Sequence, residues 1–158
     1  MTHEQFITLE TARLAKQTGF DWECPTFYTE TFDYTNQDGT GKFEFRRNDN
    51  LRYRNPNDDR NSFVNHKGTL LEYKFEMHSA PTQAVLQRWL RESKGIYIEV
   101  YHVIVWVEGG NLGIKWCYRI CYLNSNKSDI LSADEFNTYE AAHEAGLQKC
   151  LTLIEKKQ

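Results

Sequence analysis

Two long alternating segments constrain this chain more than any other feature. Residues 96–107 and 112–123 alternate large apolar side chains with other residues, and Glu108-Gly109-Gly110-Asn111 between them is a turn signal. A period of two is typical of β-strands, because successive side chains point to opposite faces of a sheet. The sequence therefore predicts a long antiparallel hairpin in this part of the chain.

One face of this hairpin is apolar and the other is mixed. The mixed face includes Glu99, Lys115 and Arg119. This pattern predicts that one face is buried and that the other is partly solvated. The apolar face consists of Ile96, Ile98, Val100, His102, Ile104 and Trp106 in the first strand and of Leu112, Ile114, Trp116, Tyr118, Ile120 and Tyr122 in the second.

A helix is predicted immediately before the hairpin, at about residues 80–94. Pro81 suits a first helical turn because its φ is fixed, and Gly95 ends the helix. Gln87 is expected to point away from the core with Arg88 and Arg91. The apolar side chains at the spacing of one helix face are Val85, Leu86, Trp89 and Leu90.

The final helix is predicted at about residues 139–156. Asn137 is the expected N-cap, in a capping box with Glu140. Gly146 lies mid-helix, where glycine costs about 1 kcal/mol relative to alanine. We expect a close approach of the helix to the sheet to compensate for that cost.

The N-terminal part predicts a short helix followed by a hairpin. Thr8 can cap a helix that runs to Gln17, and Gly19 supplies its stop. Residues 26–34 and 42–46 favour two strands, joined across the turn signal Asp38-Gly39.

A polar stretch and one more strand complete the predicted order. Residues 47–68 lack apolar periodicity and predict a long polar loop, whereas residues 69–77 alternate like a strand. A further short strand is predicted at residues 130–133. Antiparallel hairpins interrupted by helices favour an α+β fold, and residues 1–158 are predicted to form a single domain.

Composition narrows the classes of function and the compartment. The net charge of −3 argues against a protein that coats nucleic acid through its overall field. No apolar run approaches the ~20 residues of a membrane-spanning helix, so no membrane is expected as a partner. The N-terminus does not resemble a signal peptide, and the four cysteines are expected to stay reduced. The predicted location is the cytoplasm, meaning the cytosol of the host.

Motifs for cofactors and metals are missing from the sequence. Gly109-Gly110 lacks the Lys-Ser/Thr and the helix of a phosphate-binding loop, and no Cys-x-x-Cys pair suggests zinc. Cys117 and Cys121 are four residues apart on a strand, which separates them by about 13 Å. The sequence therefore predicts no metal and no cofactor.

Three segments resemble one known family. These are the stretch from His78 to Glu92 (HSAPTQAVLQRWLRE), the ending Thr138 to Leu147, and the start, where Ile7 to Glu10 and Gly19 to Cys24 match. They resemble a family of small uncharacterised proteins from Bacteroides-type gut bacteria and their phages and prophages. The resemblance covers parts of both ends and the middle of the chain. It implies an accessory protein of a phage or mobile element and transfers no catalytic residue.

The segment 46–54 is the strongest candidate for a ligand or partner site. Arginine forks with an interleaved tyrosine can hold phosphates and stack on bases, although the same residues also suit a solvated loop. His78, just before a predicted helix start, is a second candidate because helix N-termini bind anions. The residues of the segment that would make these contacts are Arg46, Arg47, Arg52, Tyr53 and Arg54.

Three functional hypotheses follow from the sequence. The favoured one is a non-catalytic protein that binds a host or phage protein through an aromatic-rich surface and the polar loop, and a homo-oligomer is compatible with the sequence. The alternative is a nucleic-acid or nucleotide binder that uses residues 46–54; a double-stranded-RNA-binding order of elements is disfavoured because residues 140–148 lack a lysine cluster. The third is an enzyme of unrecognised type, with Cys121, His102 or His78 as candidates; for His102 a role as a buried core histidine is favoured.

Overall fold

The computed structural model describes residues 5–31, 42–47 and 77–156, and within these ranges it contains three helices and two three-stranded antiparallel sheets. This confirms the predicted α+β class. The helices are α1 (Leu9–Gln17), α2 (Gln83–Lys94) and α3 (Tyr139–Glu155). The strands are β1 (Thr26–Thr31), β2 (Lys42–Arg47), β3 (Met77–Ser79), β4 (Ile96–Val107), β5 (Asn111–Tyr122) and β6 (Ile130–Leu131).

The first sheet has the strand order β2-β1-β3. β1 pairs antiparallel with both neighbours, which confirms the two predicted strands of the N-terminal hairpin. Thr26, the first residue of β1, also bonds to the residue that follows β3: its hydroxyl donates to the Ala80 carbonyl at 2.6 Å. The predicted loop at 47–68 and the predicted strand at 69–77 lie outside the described residues, apart from Arg47 and Met77.

The second sheet has the strand order β4-β5-β6 and contains the long hairpin. Its register pairs Ile96 with Tyr122 at the proximal end and Val107 with Asn111 at the turn. The hairpin and the short third strand are therefore confirmed as predicted. The turn requires glycine, since Gly109 and Gly110 have φ angles of +90° and +77°.

The helix ends correct two predictions from the sequence. The N-cap of α2 is Thr82, whose backbone is extended and whose hydroxyl accepts from the Val85 N–H, so Pro81 lies before the helix and not in its first turn. The N-cap of α3 is Thr138, not Asn137. The side-chain carbonyl of Asn137 instead accepts from the Lys115 ammonium at 2.5 Å. The predicted Thr8 cap of α1 is confirmed.

The core lies where the helices meet the proximal half of the long hairpin. Trp89 of α2 packs edge-on against Phe20, with ring centroids 5.4 Å apart, and its indole N–H donates to Asp21 at 3.2 Å. Gln87 is buried too, which corrects the expectation that it points away from the core. The core also includes Leu86, Leu90, Ile98, Ile120, Leu147 and Leu151.

Gly146 allows α3 to lie directly on the second sheet. A Cβ at this position would lie 2.8 Å from Ile98 Cγ2 and 3.2 Å from Tyr118 Cγ. Both atoms belong to the stiff, inner part of their side chains and cannot swing aside. The close approach expected from the sequence is therefore confirmed.

Replacing Gly146 by alanine is expected to destabilise the protein, although alanine is the better helix former by about 1 kcal/mol. The added methyl group overlaps Ile98 and Tyr118, and overpacking of this kind costs about 1–3 kcal/mol. The free energy of unfolding, measured by urea titration, should therefore fall by about 1–2 kcal/mol.

The Ile98→Ala background provides the control for this substitution, because it removes the Cγ2 atom that the new methyl group would meet. Gly146→Ala should lower the free energy of unfolding less in the Ile98→Ala background than in the wild type. Equal costs in both backgrounds would show that the two side chains do not compete for the same space.

The Glu144 carboxylate connects all three helices. One oxygen accepts from the Thr8 N–H and the Thr8 hydroxyl, each at 2.8 Å, and also from the Thr11 hydroxyl. The other oxygen accepts from the Gln83 side-chain amide at 2.9 Å. The amide of Gln148, one turn later in α3, donates to Thr11 at 2.9 Å. The N-terminus of α1 and the first turn of α2 are thus fixed to α3 by one side chain.

Glu144→Gln should lower the free energy of unfolding by about 1–3 kcal/mol, because one accepting oxygen becomes a donor that faces other donors. Glu140→Gln is the matched control: Glu140 lies one turn earlier on α3, and its side chain is exposed. In Glu140→Gln the free energy of unfolding should fall by less than about 1 kcal/mol, which is the contribution of a carboxylate near a helix N-terminus. Equal losses in the two variants, measured by thermal and urea unfolding, would contradict the role given to Glu144.

Within the described ranges, no helix is both long enough and apolar enough to cross a membrane.

Candidate functional site

The distal half of the long hairpin extends past the helices that cover its proximal half. α3 contacts both β4 and β5, and α2 contacts β4. These contacts bury Ile98, Tyr118 and Ile120. Trp116 is half-buried and its partner His102 is exposed, and beyond this pair both strands have exposed side chains on the same face. We call residues 102–116 the arm.

Four large apolar side chains lie exposed on this face of the arm. The exposed fraction is 68% for Ile104, 76% for Trp106, 63% for Leu112 and 61% for Ile114. They form two cross-strand pairs, Ile104 with Ile114 and Trp106 with Leu112. We call these four side chains the arm face. Contiguous apolar patches are typical of interaction sites on soluble proteins.

At the paired positions of β4 and β5, the charged side chains all lie on the opposite side of the hairpin. There the Arg119 guanidinium donates to Glu99 at 2.8 Å and lies 3.9 Å from Asp129. On the side of the arm face, the paired positions of β4 and β5 contain no Asp, Glu, Lys or Arg. At these positions the arm face therefore offers apolar contact and no charged group.

A chain of aromatic contacts joins the base of the arm to α3. His102 meets Trp116 at a centroid distance of 5.7 Å, and Trp116 meets Tyr139 at 5.6 Å. Tyr139 in turn meets His143 at 5.8 Å. Trp116 also exchanges two backbone hydrogen bonds with Phe136, at 2.8 and 2.7 Å. These contacts fix the direction in which the arm leaves the fold.

His143 is buried between α3 and α2. Its Nε2, in the tautomer that carries a proton there, donates to the Gln87 side-chain carbonyl at 3.4 Å. Burial lowers the pKa of His143 from its usual 6.5, and the charge of Glu144 acts in the opposite direction. The side chain of His143 is buried, and its ring meets the ring of Tyr139 edge to face.

The lowered pKa of His143 predicts a pH dependence of stability. The unfolded chain binds the proton more readily than the folded protein, so acidification favours unfolding. The contribution of His143 should be complete above about pH 6.5 and should be lost as the pH falls through that value towards the lower pKa of the folded state.

A His143→Gln variant separates this effect from the titration of other groups. Between about pH 7.5 and pH 5 its free energy of unfolding, measured by urea titration, should fall less steeply than that of the wild type. Parallel curves for the two proteins would contradict the assignment.

A polar cleft of about 650 Å³ lies beside the N-terminus of α3. Gln5, Gln83 and Thr138 contribute to its lining together with Glu140 and Glu144. The Gln83 amide is already bonded to Glu144 and to the Glu140 carbonyl, at 2.9 and 3.2 Å. The Gln83 amide and the Glu144 carboxylate of this wall are thus bonded to each other.

The candidates for catalysis do not combine into a reactive group. Burial raises the pKa of the Cys121 thiol, with a smaller contribution from the charge of Asp129, so little thiolate is present at neutral pH. His102 is exposed, so the expectation of a buried core histidine was wrong. His78 is buried in β3, 3% exposed. Among the described residues, no three His, Cys, Asp or Glu side chains are grouped closely enough to hold a metal ion.

The predicted ligand-binding residues fall into three places. Arg46 and Arg47 end β2 and are exposed. Successive residues of a strand point to opposite faces, so these two side chains do not share one. His78 pairs with Tyr28 in the neighbouring strand. Arg52, Tyr53 and Arg54 lie outside the described residues, so the basic site as a whole stays a prediction.

The arm face was not predicted from the sequence. Alternation correctly assigned Ile104, Trp106, Leu112 and Ile114 to the apolar side of the hairpin, but that side was expected to be buried throughout. The available signal was length: each strand has twelve residues, about 40 Å at the rise of a strand. Helices that do not extend along the full length of these strands leave part of the apolar face exposed.

The fold and the surface together define an α+β protein with a projecting hairpin whose end has an uncharged apolar face. Comparison with known proteins finds no matching protein family, no matching curated protein and no matching solved structure.

Proposed function

We propose that this chain is a non-catalytic accessory protein of a phage or mobile element, and that it binds a protein partner through the arm face in the cytosol of the host. The observation that carries the proposal is the exposure of Ile104, Trp106, Leu112 and Ile114, each above 60%, on one uncharged face. Leaving such a face in water is unfavourable by about 25 cal/mol for each Å² of apolar surface.

The anchoring of the arm supports a docking role. The contacts of Trp116 with Tyr139 and with the Phe136 backbone tie the base of the arm to α3. Binding then orders few additional groups, and more of the apolar contact energy remains as affinity. Trp106, the most exposed of the four, has the size and shape typical of an interface anchor.

The alternative function is binding of nucleic acid or a nucleotide through Arg46, Arg47, Arg52, Tyr53 and Arg54. It predicts an affinity that falls steeply with salt concentration. The exposure of Arg46 and Arg47 is compatible with it, but their positions on opposite faces of β2 do not favour a joint clamp. The arm face therefore supports the protein-binding function better.

Photo-crosslinking from the arm face tests the proposed function. Trp106 is replaced by the photoreactive benzoylphenylalanine, which keeps a large aromatic group at that position, and the variant is produced in Bacteroides-type cells. Illumination should give covalent adducts with protein, identified by mass spectrometry of the crosslinked peptides.

Leu131 is the matched control position for this experiment. It lies in a strand of the same sheet and is 63% exposed, as is Leu112, but it lies outside the arm. The same photoreactive residue at position 131 should give at most a small fraction of the adducts. Equal yields at both positions, or no adduct at position 106, would reject the arm face as a docking surface.

A further inference from the structure

The arm face matches a second copy of itself. In face-to-face packing, a two-fold axis in the plane between two arms can pass beside the Ile104–Ile114 pair. The two aliphatic pairs then stack at the ~10 Å spacing of packed sheets. The two tips point in opposite directions, and the strands cross at an angle of about 30° that carries each turn past the side of α3, so that Trp106 of each copy lies over the His102–Trp116 pair of the other arm.

The base of the arm offers an aromatic seat for that tryptophan. Trp116 and Tyr139 meet edge to face at 5.6 Å, and Tyr139 is 43% exposed. His102, also exposed, meets Trp116 from the other side. Aromatic pairs at such distances gain stability beyond the area that they bury. Each Trp106 thus meets aromatic rings, and each aliphatic pair meets another aliphatic pair.

The size of the surface fits a small two-fold interface. With side-chain areas of about 150–200 Å², the exposed fractions of the four side chains correspond to roughly 450 Å² per copy. Tyr139 and His102 raise this to about 600 Å², so two copies bury about 1,200 Å², the lower end of the range for specific complexes. A reversible dimer with a micromolar dissociation constant is the expected result.

Charge also favours a second copy over an unrelated protein. Selection among different partners relies largely on complementary charges, which steer encounter and reject wrong surfaces. The paired positions on this side of β4 and β5 contain no Asp, Glu, Lys or Arg. A symmetric contact does not need complementary charges, because each copy supplies the apolar surface that the other requires.

We propose that the arm faces of two copies of this chain pack against each other across a two-fold axis and form a homodimer. The proposal rests on the proposed function, in that it takes the arm face to be a protein-binding surface, and it names the partner. Binding of a different protein to the arm face is the alternative result that the test distinguishes.

Sedimentation velocity at a series of concentrations from about 1 to about 200 µM tests the dimer. The wild type should shift from monomer to dimer across this range. Leu112→Glu should remain monomeric, because it places a carboxylate in the apolar contact, and the dissociation constant should rise at least ~100-fold. Leu131→Glu should behave as the wild type, since Leu131 has the same 63% exposure outside the arm.

A second variant keeps the test valid if Leu112→Glu fails to fold, as judged by circular dichroism. The double substitution Ile104→Thr and Ile114→Thr keeps β-branched side chains that suit a strand and replaces apolar groups by hydroxyls. It should weaken the dimer about 10-fold or more. In the crosslinking experiment, position 106 should form adducts with the region of Tyr139 in another copy, detected with a mixture of unlabelled and isotopically labelled chains.

The failures of the two proposals are distinguishable. A wild type that stays monomeric throughout the range, or a dimer that both arm variants leave unchanged, overturns the homodimer. If position 106 then forms adducts with a different protein, the docking function stands with a foreign partner. If position 106 forms no adduct, both proposals are rejected.

Discussion

The described structure depends on one carboxylate that lies between three helices. Glu144 accepts hydrogen bonds from Thr8 and Thr11 of the α1 N-terminus and from Gln83 of α2. Its charge also contributes, after burial, to the raised pKa of Tyr28, whose hydroxyl donates to the Ile7 carbonyl at 2.8 Å. The charge of Glu144 therefore also acts on a residue of β1, in the first sheet. A hydrogen-bonded carboxylate specifies direction and distance, which apolar packing alone does not.

The position of α3 then decides which part of the long hairpin is core and which part is surface. Gly146 lets the helix lie on Ile98 and Tyr118, so the proximal half of the hairpin is buried. α3 begins at Tyr139, whose ring ends the covered region against Trp116. Beyond that contact the strands continue with the same alternation but without a helix above them. The same sheet thus has one end in the core and one end on the surface.

The sequence predicted those features that depend on local periodicity. The strands around Gly109-Gly110 and the Leu86–Trp89–Leu90 face of α2 appeared where their spacing placed them. The caps at Thr82 and Thr138 were missed, because several Ser, Thr and Asn residues lie close together and the path of the entering chain selects among them. The contacts of Glu144 with Thr8 and Thr11 join residues more than 130 positions apart, and the exposure of Trp106 depends on where α3 begins. Neither leaves a local pattern.

The arm has a consequence for how such a protein can change over generations. Ile104, Trp106, Leu112 and Ile114 take no part in the buried cluster around Trp89 and Leu147. Substitutions there change the exposed surface at little expense to the folded state, whereas substitutions near Gly146 change the stability of the fold. The exposed surface of the arm and the stability of the core are thus encoded in separate halves of one hairpin. Sequence changes can therefore accumulate in the outer half while the inner half preserves the fold.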